Sequence, residues 1–164
     1  MRARAVVSAG AALTIALGLS ACNKGLKEKT LHYNEKETNN FGFFDNPPKA
    51  KVSQQGPDML TDGDVITFSS DMTDASGKDV GDIDASCVDT RKGRFDQASL
   101  SCHGTITLPK GQLFVTVGGP KAIGANTTRG AVVGGTGDYA GATGTFTSVG
   151  QQNSKDTFKL FIPS

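Results

Sequence analysis

The run from Ala131 to Phe146, AVVGGTGDYAGATGTF, constrains the fold more than any other stretch of the chain. Gly135, Gly137 and Ala140 match the G-x-G-x-x-G/A spacing of a dinucleotide loop, and the strand-like Ala131–Val133 precedes them. That loop works only when a helix follows, because the free amides of the helix N-terminus hold the pyrophosphate. The residues that follow are Gly141, Ala142, Thr143, Gly144 and Thr145. Two glycines and two β-branched threonines make a poor helix. No acidic residue about 20 positions on sits in a βαβ frame to bind a ribose. The stretch therefore reads as an apolar strand, a glycine turn and a second strand, with the glycines supplying positive φ and close packing.

The rest of the chain repeats that grammar. Strands are expected at 31–36, 65–73, 80–90, 97–108, 112–117, 129–133, 144–149 and 157–162. Period-2 apolar rows mark them: Ile66/Phe68/Met72, Leu113/Val115/Val117 and Phe158/Leu160/Ile162. Turn chemistry separates them at Asp74–Lys78, Lys92–Arg94, Pro109–Gly111 and the glycine run. No amphipathic helix of useful length appears. Eight strands with short links imply an all-β antiparallel barrel or sandwich, and closure into a barrel removes exposed edges. Residues 37–62 break the pattern. They read as a long irregular loop carrying Phe41, Phe43 and Phe44, either plastered on the barrel or forming a flap over its mouth.

The N-terminus reads as an address. Arg2 and Arg4 precede an apolar stretch from Val6 to Gly18, followed by Leu19-Ser20-Ala21-Cys22. The apolar stretch is short for a transmembrane helix and belongs outside the fold. It resembles the lipobox of bacterial lipoprotein signals. The resemblance implies cleavage after residue 21, lipid on Cys22, and an extracytoplasmic protein held to a membrane. Residues 1–21 are then signal peptide, 22–30 a solvated tether and 31–164 the domain. Without Arg2 and Arg4 the 17 basic side chains fall to 15 against 16 acidic ones, which argues against a nucleic-acid partner.

An exported chain permits disulfides. Alternation places Cys87 on the face of Ile83 and Ala85, and Cys102 on that of Leu100 and Ile106. Both point to the apolar side, as a cross-strand bridge requires. Such a bridge contributes roughly 3 kcal/mol in the loop-entropy model. Two buried free thiols are the alternative. His32 and His103 are the two histidines, and no metal-ligand spacing joins them. His103 is expected to face solvent. The acidic stretch Asp71, Asp74, Asp79, Asp82 and Asp84 lacks the alternate ligands and closing glutamate of an EF-hand. No metal site and no cofactor is expected.

One family gathers these segments. Gly63-Asp-Val-Ile-Thr-Phe68, Lys78-Asp-Val-Gly81, Ala85-Ser-Cys-Val88 and Ala131–Gly137 together resemble the allene oxide cyclase and dirigent barrels, in order and spacing, from about Thr30 to Leu160. The resemblance implies an eight-stranded antiparallel barrel with a central apolar cavity, often assembled as a homotrimer. It implies activities that hold a reactive guest in one shape, such as epoxide cyclisation or steering of phenoxy-radical coupling. Carried over residue by residue, the family's cavity positions fall on His32, Asn34, Phe41, Ser70 and Cys87. Asn34 and Cys87 keep the cyclase residue types, while His32 replaces a glutamate. An amide can anchor an oxygen, and an imidazole can act as a base near neutral pH.

The first strand carries a conflict. Alternation alone turns Leu31 and Tyr33 inward. The resemblance turns His32, Asn34 and Lys36 inward, and a one-residue shift flips every side chain. The family register is preferred here, because inward polar residues suit a site and outward apolar ones an oligomer. The expected function is binding of a small apolar or aromatic molecule without turnover. A dirigent- or cyclase-like isomerase and a structural envelope lipoprotein are the alternatives.

Overall fold

The computed structural model describes residues 25–45, 52–53, 56–57, 59–94, 97–120, 126–150 and 153–164. The expected leader, including Cys22, lies outside the described residues. Eight strands form a closed antiparallel barrel: β1 (Leu26–Phe44), β2 (Val65–Thr73), β3 (Asp79–Arg91), β4 (Ser99–Leu108), β5 (Gly111–Pro120), β6 (Thr127–Gly135), β7 (Thr143–Val149) and β8 (Asn153–Pro163). Each strand pairs with its sequence neighbour, and β1 closes the ring by pairing with both β2 and β8. This ordering is the up-and-down solution to the edge problem, in which every strand has two neighbours.

Two apolar clusters fill the inside. The larger one holds Met72, Ile83, Ile106, Leu113, Val132, Phe146, Phe158 and Leu160, with Leu31 and Tyr33 packed against it. The second holds Leu60, Ile66, Cys87, Ala98, Leu100 and Cys102, with Phe43 and Phe68 against it. Cys87 and Cys102 stand directly opposite each other on β3 and β4 and are joined as a disulfide, with Cα atoms 3.9 Å apart.

Two sequence expectations change. Strand β1 begins at Leu26, so residues 26–30 belong to the barrel and not to a tether; Leu26 pairs with Pro163 and Thr30 with Lys159. The strand also runs through residues 37–44, in place of the irregular loop expected there. Phe41 pairs with Phe68 and Phe43 with Ile66, across a register shift between Glu37 and Phe41. The hydrogen-bond ladder offered by β2 outweighs the weak local pattern of that segment. Phe41, Phe43 and Phe44 are therefore strand residues. Phe43 packs against the second cluster, while Phe41 and Phe44 are 49% and 62% exposed.

The glycine run forms the expected hairpin between β6 and β7. It holds a single 3-10 turn at Gly137–Tyr139, and Tyr139 is buried in the larger cluster as a plug for that end of the barrel. The turn lies on the β4–β5 corner, where Asp138 N–H donates to Lys110 O at 2.8 Å and Thr136 N–H donates to Gln112 O at 2.9 Å. A Cβ on Gly135 would come within 2.5 Å of Tyr139 O and 2.7 Å of Gln112 O. Gly135→Ala is therefore expected to cost about 2 kcal/mol through forced backbone movement. Gly118→Ala, whose methyl would meet Leu100 O at an ordinary 3.7 Å, should change stability by less than about 0.5 kcal/mol. Urea unfolding of the pair measures the difference; equal midpoints would refute the close-approach role.

Candidate functional site

Strand β8 explains how a polar site arises inside an apolar barrel. Its inward row runs Ser154, Asp156, Phe158, Leu160, all buried, while Lys155, Lys159 and Phe161 on the alternate row are exposed. The row passes from polar to apolar along the barrel. Strand β1 runs beside it with Glu35 opposite Ser154, Tyr33 opposite Asp156 and Leu31 opposite Phe158. On the other side, β7 places Ser148 opposite Asp156 and Phe146 opposite Phe158. Glu35, Asp156, Ser148 and Ser154 thus meet above a floor made by Phe158, which stacks on Phe146 at 5.1 Å and lies 6.3 Å from Tyr33.

Asp156 is the central group. It is 1% exposed, and its Oδ2 is buried with no hydrogen-bond partner in the structure. The Ser154 hydroxyl lies 3.0 Å from its Oδ1 and 2.9 Å from Oε2 of Glu35. Burial pushes the Asp156 carboxyl up to about 6, the Glu35 carboxylate adds to that rise, and hydrogen bonds from Ser148 and Ser154 pull the other way. A carboxyl poised there can give or take a proton near neutral pH. A buried acceptor without a donor is also costly, by roughly 1–3 kcal/mol for a neutral group and more for a charged one. An incoming donor would relieve that cost.

Below this group Tyr139 is buried in the larger cluster, and Tyr33 packs against that cluster. Burial raises Tyr33, and burial followed by the influence of Tyr33 pushes Tyr139 up to about 12. Both are neutral phenols at physiological pH. Lys29 stands 5.2 Å from the Tyr139 ring centroid, a cation–π contact.

The family-derived orientation of β1 is corrected. Leu31 and Tyr33 face the core, and His32 and Asn34 lie on the alternate, outer row. His32 is exposed, with Nδ1 3.2 Å from the Thr157 hydroxyl. The Asn34 amide donates to Asp74 O at 3.2 Å, tying β1 to the β2–β3 turn. The physical reason is register: Leu31 opposite the fully buried Phe158 gains more from burial than His32 would. Cys87 faces inward, but its sulfur is committed to the bridge, so the free-thiol alternative is excluded. Ser70 does face inward and is buried, opposite Ile83. The structure brings none of these four together with Asp156 as a hydrogen-bonded set.

Two other features lie apart from that group. A recess of about 590 Å3 on the outer wall is lined by residues including Phe41, Thr67, Ser69, Asp84, Ser86 and His103. His103 is exposed there, as its alternation with Cys102 requires, and Asp84 accepts the Ser69 hydroxyl at 2.7 Å. In the acidic stretch, Asp74 Oδ1 accepts from Ser76 N–H at 2.8 Å and Lys78 N–H at 3.1 Å, so that aspartate shapes its own turn. Among the described residues no group of three or more His, Cys, Asp or Glu is arranged to hold a metal ion.

Comparison with known proteins supports the architecture. The family model for the allene oxide cyclase barrel like domain matches residues 48–162. No curated protein matched the chain. Among solved structures, one described as pyocyanin demethylase is 25% identical, with a TM-score of 0.64, covering 80% of this chain and 99% of its own. The pterocarpan synthase dirigent protein PsPTS1 is 18% identical with a TM-score of 0.56, covering 83% of this chain and 94% of its own. A Diels Alderase, AbmU from Streptomyces koyangensis, is 14% identical with a TM-score of 0.56, covering 88% of this chain and 72% of its own.

Proposed function

The chain belongs to the allene oxide cyclase barrel-like family, and we propose that it uses this barrel, lipid-anchored outside the cytoplasm, to hold one small organic molecule against Asp156. The observation that carries the proposal is the buried Asp156 Oδ2 with no donor, set beside an aromatic floor. Small-molecule sites combine an apolar wall with a few convergent polar groups, and this interior has both. The 25%-identical structure is named for action on a small molecule, pyocyanin, which supports the same reading. The test is a thermal-shift screen of the full chain in detergent against small aromatic metabolites. A ligand at 100 times its Kd should add about 2.7 kcal/mol of stability. A panel in which no member raises Tm would overturn the proposal.

Anchoring rests on the lipobox-like Leu19-Ser20-Ala21-Cys22 behind a short apolar stretch. Cys22→Ser should move the protein from the membrane to the soluble fraction of an expressing bacterium. Unchanged fractionation would argue against a lipid on that residue.

A catalytic reading, an isomerase or cyclase, is favoured by one observation: the buried Asp156 carboxyl shares the Ser154 hydroxyl with Glu35, and burial raises it to about 6, where a carboxyl can exchange protons near neutral pH. It requires that Asp156→Asn abolish turnover of a bound guest while leaving the barrel folded.

A further inference from the structure

On one patch of the outer wall, three strands carry two rows of polar side chains. Thr67 of β2, Ser86 of β3 and His103 of β4 stand opposite one another in register. Ser69, Asp84 and Thr105 form the next row, two residues along. The rows lie roughly 7 Å apart along the strands and span about 10 Å across them, wide enough for a six-membered ring and its substituents. Strand β1 completes the patch with a hollow and a bulge. Gly42 stands opposite Thr67, and a Cβ there would approach Thr67 Oγ1 to 2.5 Å, so the missing side chain keeps the surface low. Between Glu37 and Phe41 the strand holds residues 38–40 where β2 has only Ser69. Bulges of this kind re-aim side chains and are frequent beside sites. Thr38 Oγ1 pins this one by donating to Ser69 O. Asn40 and the half-exposed Phe41 line that side of the recess. Its volume of about 590 Å3 lies within the range of small-ligand sites, roughly 300–1,000 Å3.

The lining selects by chemistry. The Ser69 hydroxyl donates to Asp84 Oδ1 at 2.7 Å, which fixes the carboxylate and leaves Oδ2 as an acceptor. Asn40 offers an amide donor and an amide acceptor, His103 a ring nitrogen of either kind, and the lining hydroxyls do both. No lysine or arginine lines the recess, so an anion would meet Asp84 uncompensated. Among the described residues no group of ligands that could hold a metal ion lies there. Asp84, Ser86 and His103 are exposed, so a wholly apolar guest would keep much of its own surface in water. A pyranose ring suits both parts of the lining. Its hydroxyls donate and accept, and its C–H face can lie against the Phe41 ring.

We propose that this outer-wall recess is a second binding site that takes a neutral saccharide, with Asp84 and Asn40 on its hydroxyls and Phe41 against its apolar face. Binding here is independent of the interior and of Asp156. On β3 the exposed Asp84 and Ser86 alternate with Ile83 and Cys87, which are buried in the barrel. No covalent bond is made or broken.

A magnetic-resonance titration of the full chain in detergent, read at the backbone amides, tests this. The probes are neutral maltotetraose, cellotetraose and tetra-N-acetylchitotetraose, set against anionic tetragalacturonate. At least one neutral saccharide should bind with a Kd of about 1 mM or tighter and move the amides of Ser69, Asp84, Ser86 and His103. Tetragalacturonate should bind about tenfold more weakly than that saccharide, because its carboxylates meet Asp84. Asp84→Asn should weaken the neutral ligand about tenfold and narrow its lead over the uronate. Phe41→Ala should weaken the neutral ligand about fivefold. Ser86→Trp fills the recess from an exposed position and should abolish binding, a readout that does not depend on Phe41→Ala folding. Three results would each overturn the saccharide site: uronate binding as tight as the neutral ligand's, shifts confined to interior residues such as Ser148 and Asp156, or no shift from any neutral probe at about 10 mM.

Discussion

Phe158→Ala is expected to destabilise the barrel by about 4 kcal/mol, within the range for an aromatic removed from a sealed core. Phe158 is fully buried. It stacks on Phe146, meets the Tyr33 ring at a tilt and stands opposite Leu31. These neighbours and Phe158 itself come from three strands, β1, β7 and β8, so a collapse of the space would have to move the ladder that closes the barrel. The strands flanking the residue are hydrogen-bonded on both sides and cannot slide independently. Val149→Ala is the comparison. Val149 is an exposed strand residue, and its loss should stay within about 0.5 kcal/mol. Urea denaturation of both variants, followed by far-UV circular dichroism, gives the two values. A Phe158→Ala cost below about 1 kcal/mol would show that the space around the ring is already loose, and the aromatic floor assigned to the site would lose its basis.

The barrel is legible in the sequence because its walls obey one rule. Rows such as Ile66/Phe68/Met72 and Phe158/Leu160/Ile162 repeat every second residue, and the expected strands from β2 to β8 fall on the observed ones to within a few positions. Residues 37–44 escape that rule because the register shift between Glu37 and Phe41 breaks the alternation in mid-strand. Tyr139 escapes it because a single 3-10 turn buries one residue without any periodic signature. The carboxylates are hidden by less. A last strand begun at Thr157 leaves Asp156 one residue outside the pattern. Extending the row of Leu160 and Phe158 back by two places puts Asp156 inside. Glu35 is lost when family resemblance displaces the alternation of Leu31 and Tyr33, although that alternation leads straight to it. A buried polar residue has no hydrophobic mark of its own; only the phase of its neighbours reveals where it points.

Asp156→Asn should change how stability depends on pH, and the sign follows from the direction in which the carboxyl is displaced. An unperturbed aspartate titrates near 4, whereas Asp156 is held at about 6 in the folded barrel. Between those values the folded state binds more protons than the unfolded chain, so its contribution to stability falls as pH rises and is fully lost above about 7. A carboxyl raised that far contributes about 2.5 kcal/mol at pH 4 and nothing at pH 8. Asparagine keeps the shape and removes the titration. Asp89, also raised mainly by burial, slopes the same way, and Asp74, lowered first by the Ser76 hydroxyl, slopes the opposite way. Both are common to the two proteins, so the wild-type minus variant difference isolates Asp156. That difference should change by about 2.5 kcal/mol in favour of the variant between pH 4 and pH 8, with most of the change between pH 4 and pH 6. Urea unfolding at five pH values measures it. A flat difference would mean that Asp156 is ionised or solvated in the folded barrel as freely as in the unfolded chain. A buried, donorless oxygen awaiting a ligand would then be excluded as well.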